Sequence, residues 1–140
     1  MRPLRDGVLA GTIGAILSGA PSTAYALLTR ADPIEAAAAA GTLVVPRETR
    51  RLPLLAAAVP AHATISLGWG IVLAAVLPRR GTVAWGALAG LAIAALDLGL
   101  IGRRYPRIRA LPMLPQVADH IAYGITVGVV LRSRRLGPYR

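Results

Sequence analysis

The chain of 140 residues has no cysteine, no phenylalanine and no lysine, only six acidic residues, and 4% aromatic content. Without cysteine there is no disulfide, no thiolate metal site and no thiol nucleophile. Without lysine, all sixteen cationic side chains are arginine, and the net charge is +10. Such a charge raises the question of nucleic acid, but a nucleic-acid surface gathers its basic residues on one face with aromatics between them. Here the arginines lie between apolar runs, so nucleic acid is not an expected partner.

What is present is apolar and small. Hydrophobic residues make up 55% of the chain and the mean hydropathy is +0.58, above the usual share for a soluble domain. Ala, Gly, Leu and Val supply most of it, which lets helices approach backbone to backbone. Arginine at the ends of apolar runs is the pattern of charges held at two membrane surfaces, where they also meet anionic lipid head groups.

The first apolar run, Gly7 to Leu28, carries no charge and at 1.5 Å per residue would extend about 33 Å as a helix. Leu54 to Leu77 contains one ionisable group, His62, and Thr82 to Ile101 is interrupted by Asp97. The fourth run reaches spanning length only if it begins near Leu111, across Pro112 and Pro115, and continues to Leu131. The expected fold is therefore all-α, a single domain over 1–140. It is an integral membrane bundle of about four transmembrane helices at 7–28, 54–77, 82–101 and 111–131. The stretch from Pro33 to Val45 follows Asp32 as N-cap, with Pro33 at the first helical position, and is too short to span; it reads as an interfacial helix. Arg2 and Arg5 before an apolar stretch, with Ala24-Tyr25-Ala26 beyond, resemble a signal peptide. Asp6, the late Pro21 and the apolar continuation to Leu28 argue against cleavage.

An internal repeat is visible. Leu52-Pro53-Leu54-Leu55 leads to His62, Gly70 and Arg79-Arg80, and Leu111-Pro112-Met113-Leu114 leads to His120, Gly128 and Arg134-Arg135. The helices before these copies carry Gly7-xxx-Gly11 and Gly86-xxx-Gly90, which predicts two helical hairpins in the same orientation, related by an axis along the membrane normal. Arg2, Arg5, Arg79, Arg80, Arg132, Arg134, Arg135 and Arg140 then face one side. Arg30, Arg47, Arg50, Arg51, Arg103, Arg104, Arg107 and Arg109 face the other. Eight against eight gives no positive-inside orientation.

Four sets of residues bear on chemistry. Gly7, Gly11, Gly14 and Ser18 form a stripe on the first helix, and Gly86 with Gly90, and Gly124 with Gly128, repeat the spacing. Such faces pack helices within one bundle or join a homodimer or another membrane-protein partner. Pro21 removes a backbone donor and clashes with the carbonyl of Leu17, so the first helix should kink or break there, with Ser18, Ser22 and Thr23 placed to satisfy freed carbonyls. Asp97 is a costly carboxylate inside an apolar run, and is read either as a proton or cation carrier or as an interfacial acid paired with Arg103 and Arg104. His62, Asp119 and His120 complete the set. The repeat puts both histidines at matching depth, where they would share a proton or ligand; the alternative is that Asp119 caps the fourth helix and the histidines sit at the water boundary. A metal site needs a third convergent ligand; Asp97 is expected near the opposite end of the bundle from them, Asp119 alone could complete such a set, and no metal is expected. No phosphate loop, nucleophile elbow, zincin helix or haem motif is present, so no catalytic residue and no cofactor is predicted.

The segment from Asp97 through Arg103-Arg104-Tyr105-Pro106 to His120, Tyr123-Gly124 and Gly128 resembles the C-terminal half of small multi-pass membrane proteins of high-GC actinobacteria, a family without assigned activity. The resemblance implies a multi-pass membrane protein and transfers no functional residue. Arginine without lysine fits a GC-rich genome, and the expected location is the plasma membrane of a bacterium. Two functional readings follow. One is a non-enzymatic accessory component that binds partners, or anionic lipid through Arg103, Arg104, Arg107 and Arg109. The other is a small carrier or proton-coupled transport unit using Asp97, His62 and His120.

Overall fold

A computed structural model of the chain describes residues 2–136, and these are all-helical, with no strand. The elements are α1 (Arg2–Leu17), α2 (Ala20–Leu28), α3 (Glu35–Gly41), α4 (Arg51–Val76), α5 (Thr82–Leu96), α6 (Pro106–Arg109) and α7 (Met113–Leu136). A π-helical turn, Asp97–Ile101, and a 3-10 turn, Gly102–Arg104, extend α5. Four helical stretches are long and apolar enough to cross a membrane: Pro3–Leu28, made of α1 and α2, Arg51–Val76, Thr82–Arg104 and Met113–Leu136. At 1.5 Å per residue, the 23 to 26 residues of each extend about 34 to 39 Å.

The burial pattern is that of a chain meant for an apolar solvent. Large aliphatic side chains point outward, Leu28 at 85% and Leu114 at 81% exposure, while small residues such as Ala10, Ala38 and Ala39 are fully enclosed. With lipid outside, apolar side chains gain little by turning inward, and close backbone packing carries the association instead.

That packing is made by glycine. A Cβ on Gly7 would stand 2.6 Å from the Cα of Ile71, one on Gly11 2.7 Å from the carbonyl oxygen of Ser66, and one on Gly70 2.5 Å from that of Gly7. The second seam is tighter, with Gly86 against the carbonyl of Gly124, Gly90 against that of His120, and Gly128 against that of Thr82. Residue numbers rise on one helix as they fall on the other, so α1 runs antiparallel to α4 and α5 antiparallel to α7. The hairpins meet through α1 and α7, where Gly14 rests on the Tyr123 ring and Arg134 pairs with Asp6 at 2.9 Å. Leu73, Leu77, Ile93, Tyr123, Val127 and Leu131 fill the centre. These glycine faces are therefore in contact within one chain, which is the reading of packing inside one bundle.

The antiparallel order places Arg30, Arg47, Arg50, Arg51 and the 103–109 arginines at one end, and Arg5, Arg79, Arg80, Arg132, Arg134 and Arg135 at the other. Arg140, counted with the second group, lies outside the described residues. Several boundaries differ from those expected. The fourth span starts at Met113 and runs to Leu136, because Pro115 falls in the first turn, where its missing donor costs nothing. α3 has seven residues, not thirteen. Asp32 turns the chain before it, accepting from the backbone N–H of Ile34 at 3.1 Å, and the short helix seats Gly41 against the backbone of Leu54.

Gly124 and Gly68 separate packing from propensity. Gly68 has open space around it, so Gly68→Ala is neutral or stabilises by a few tenths of a kcal/mol to about 1 kcal/mol. Gly124→Ala drives a methyl into the α5 backbone and costs about 2 kcal/mol or more. Unfolding of the detergent-solubilised protein measures both, and equal stabilities would contradict the seam.

Candidate functional site

The first span is broken at Ser18 and Gly19, two residues before Pro21. Proline fits the first turn of a helix and not its middle. The chain therefore ends one helix and starts another around it, with Pro21 in the first turn of α2. The expected break is present but lies upstream of the proline itself. Among the expected hydroxyls, Ser22 Oγ donates to the carbonyl of Gly19 at 3.2 Å, while no side-chain bond from Ser18 or Thr23 closes on a carbonyl among the described contacts.

A break inside an apolar layer exposes backbone groups that must be satisfied. Two distant side chains do so. His62, on α4, approaches the carbonyl of Ala15 in the last turn of α1 with Nε2 at 3.0 Å; a carbonyl only accepts, so Nε2 carries the proton. Asp119, on α7, accepts from the backbone N–H of Ser22 in the first turn of α2, at 2.8 Å. Asp119 is thus the cap of another helix, and the reading that it caps the fourth helix is corrected: it stands about 9 Å inside that helix, six residues from Met113.

His120 stands beside it. Its Nδ1 lies 2.7 Å from the carbonyl of Gln116 and its Nε2 3.5 Å from Oδ2 of Asp97, within ion-pair range but longer than a hydrogen bond. The expectation that Asp97 pairs with Arg103 and Arg104 is corrected, as is its placement at the opposite end of the bundle. Antiparallel packing at Gly90 brings the end of α5 to the beginning of α7, and Asp97, first residue of the π-helical turn, faces the histidine. Asp97 and His120 are each about one quarter exposed. His62 does not join them in a shared site, since it is engaged by α1. Among the described residues no three ligating side chains converge on a point.

Above this layer lies a cavity of about 160 Å³. Ser22 and Gln116 belong to its wall, and these residues carry the backbone groups bound by Asp119 and His120. Asp32 and Glu35 also belong to its wall. There Arg107 holds Glu35 through two hydrogen bonds of 2.7 and 2.8 Å, and Arg51 pairs with Asp32. Arg107 is therefore taken by a carboxylate and is withdrawn from the set of lipid-facing arginines; Arg103, Arg104 and Arg109 have no carboxylate partner among the described residues.

Some contributors carry no sequence signal of their own. Gln116 and Ala15 act through backbone carbonyls. Tyr123 donates its hydroxyl to the carbonyl of Ser66, tying α7 to α4, and Arg135 caps the end of α4 by donating to the carbonyls of Ala74, Leu77 and Pro78. Comparison with protein-family models, curated proteins and solved structures finds no match.

The Arg107 hydrogen bonds hold the Glu35 carboxyl below its ordinary value, against an opposing effect of burial. A carboxyl with a lowered folded-state value stabilises the fold above its unfolded pKa, and loses this as pH falls through the folded one. Both partners are about one third exposed, so after solvent screening Arg107→Gln should cost about 0.5 kcal/mol near neutral pH. At acid pH, below the lowered folded-state value of Glu35, the difference from the parent should fade. Denaturant titrations at the two pH values check this, and a constant difference would show that the contact does not act as an ion pair.

Proposed function

We propose that this chain is a non-enzymatic, proton-binding membrane bundle, a small carrier or proton-coupled unit. Its proton site is the Asp97–His120 couple, and the site is served from the membrane face that carries α3. The observation that carries this reading is the double contact of His120. Its Nδ1 faces a carbonyl and so bears a hydrogen, which leaves Nε2, 3.5 Å from the Asp97 carboxyl, as the atom that takes up or gives up a further proton. Imidazole is the side chain that does so near neutral pH, and an acid beside it favours its charged form. The titratable group beside the couple is Asp119, next to His120 on α7, and His62 on α4 faces Asp119 in turn. The cavity between α2, α3 and the start of α7 supports access from that face.

The contacts also support reading the hairpins as two copies of one unit. Gly70 stands to Gly7 as Gly128 stands to Thr82, and Ser66 stands to Gly11 as Gly124 stands to Gly86. This pairing slides the first and third helices by one turn relative to the match of Gly7-xxx-Gly11 with Gly86-xxx-Gly90. In it Ser22 and Asp97 occupy equivalent places, so one copy carries the helix break and the other the carboxylate.

Infrared difference spectroscopy of the chain in liposomes, stepped across pH 5 to 8, about the range in which imidazole titrates, should show an imidazolium signal that is reduced in His120→Gln and shifted in Asp97→Asn. A cysteine at position 116 in this cysteine-free chain should be labelled by a membrane-impermeant thiol reagent from one side only. A spectrum whose imidazolium signal is unchanged in folded His120→Gln protein defeats the reading.

A second reading, an accessory protein that holds anionic lipid, rests on the free guanidinium groups of Arg103, Arg104 and Arg109. Replacing the three together by Gln should weaken cardiolipin retention in native mass spectrometry by about an order of magnitude at about 1 kcal/mol or less per arginine. Unchanged retention removes it.

A further inference from the structure

The bundle is closed on one side and open on the other. α1 and α7 pack along most of their lengths, whereas α4 and α5, although consecutive, share almost no direct contact and leave an apolar groove of about 430 Å³ between them. Pro78 lies at one end of it, and Trp85, Leu88, Ala89 and Ala92 along α5 form one wall. From Trp85 to Ala92 the groove runs about 10 Å down the helix. Its wall is apolar apart from the indole N–H of Trp85.

The connection at its end is the opposite in character. Arg79 and Arg80 follow Pro78 directly, are exposed, and have no carboxylate partner among the described residues. The nearby arginines on α7 are differently placed, Arg134 with Asp6 and Arg135 on the carbonyls ending α4. Trp85 sits in the first turn of α5 and is 53% exposed, at the level where indole rings favour the boundary between head groups and hydrocarbon.

From these we infer that the α4–α5 groove binds one anionic phospholipid, its phosphate on Arg79 and Arg80, its head group beside Trp85 and one acyl chain along Leu88, Ala89 and Ala92. Charge complementarity selects this occupant. A parallel second copy seated here would bring another Arg79–Arg80 pair to the same place, with no acid to offset it. A zwitterionic lipid offers the same acyl chain but no net negative charge. The site lies at the other end of the bundle from Arg103, Arg104 and Arg109, and is independent of the proton couple.

The chain contains two tryptophans, Trp69 and Trp85, so Trp69→Phe leaves Trp85 as the single fluorophore at the groove. In this background, phosphatidylglycerol brominated on its acyl chains should quench Trp85 at a mole fraction roughly three-fold or more below that required of brominated phosphatidylcholine. Arg79→Gln with Arg80→Gln should bring the two lipids to equal quenching, whereas Arg103→Gln with Arg104→Gln should leave the preference intact. Ala92→Phe fills the groove with both arginines in place and should also remove the preference. Equal quenching in the parent, a preference that survives loss of Arg79 and Arg80, or one that survives Ala92→Phe would each overturn the assignment.

Discussion

Close approach of backbones at glycine sets nearly everything else in this protein. In an apolar solvent the hydrophobic effect does not hold helices together, and contact at van der Waals distance takes its place. Such contact is sensitive to register: a slide of one residue along α5 or α7 would put a side chain where the carbonyls of Gly86 and Gly124 now face a bare Cα. The seams thus fix the helices along their axes as well as beside one another. His120 meets Asp97, Ser22 meets Asp119 and Ala15 meets His62 because the glycines on the same helices, Gly90 and Gly14 among them, allow one alignment.

The second constraint is the backbone itself. A helix interrupted by Pro21 must place its loose donors and acceptors somewhere, and water is not available inside the hydrocarbon layer. The polar side chains of α4 and α7 answer this need at both edges of the break, His62 at the end of α1 and Asp119 at the start of α2. A structural role therefore accounts for these two residues without any appeal to transport. It does not account for Asp97 and His120. The backbone of α5 continues through a π-helical turn at Asp97 without needing that carboxylate as a cap, and His120 already has the Gln116 carbonyl on its other nitrogen.

Much of the architecture was legible in the sequence because it depends on local properties. Charge-free runs of spanning length, prolines near helix starts and glycines four residues apart can be counted without knowing what packs on what. Pairing could not be counted in that way. Asp97, a few residues from Arg103 and Arg104, reads as their partner, yet the π-helical and 3-10 turns between them separate what the sequence sets close. Asp119 before an apolar stretch reads as an N-cap; that it caps a helix almost a hundred residues earlier depends on the contact of α1 with α7. The glycine stripes specified close packing but not whether the other side of the seam belonged to the same chain.

The two ends of the molecule also differ in how their arginines are placed. At the α3 end Arg50, Arg51 and Arg107 hold Glu48, Asp32 and Glu35, the last two in the wall of a cavity, while Arg103, Arg104 and Arg109 have no carboxylate partner among the described residues. At the other end the arginines outnumber the acids with Asp6 alone to offset them, and the helices splay to leave an apolar groove. That surplus of positive charge beside an apolar groove is what the inferred lipid site rests on. The break in the first span lies toward the α3 end. Any movement of α2 about Ser18 and Gly19 would then change the contacts of Asp119, the immediate neighbour of His120, before it changed anything else.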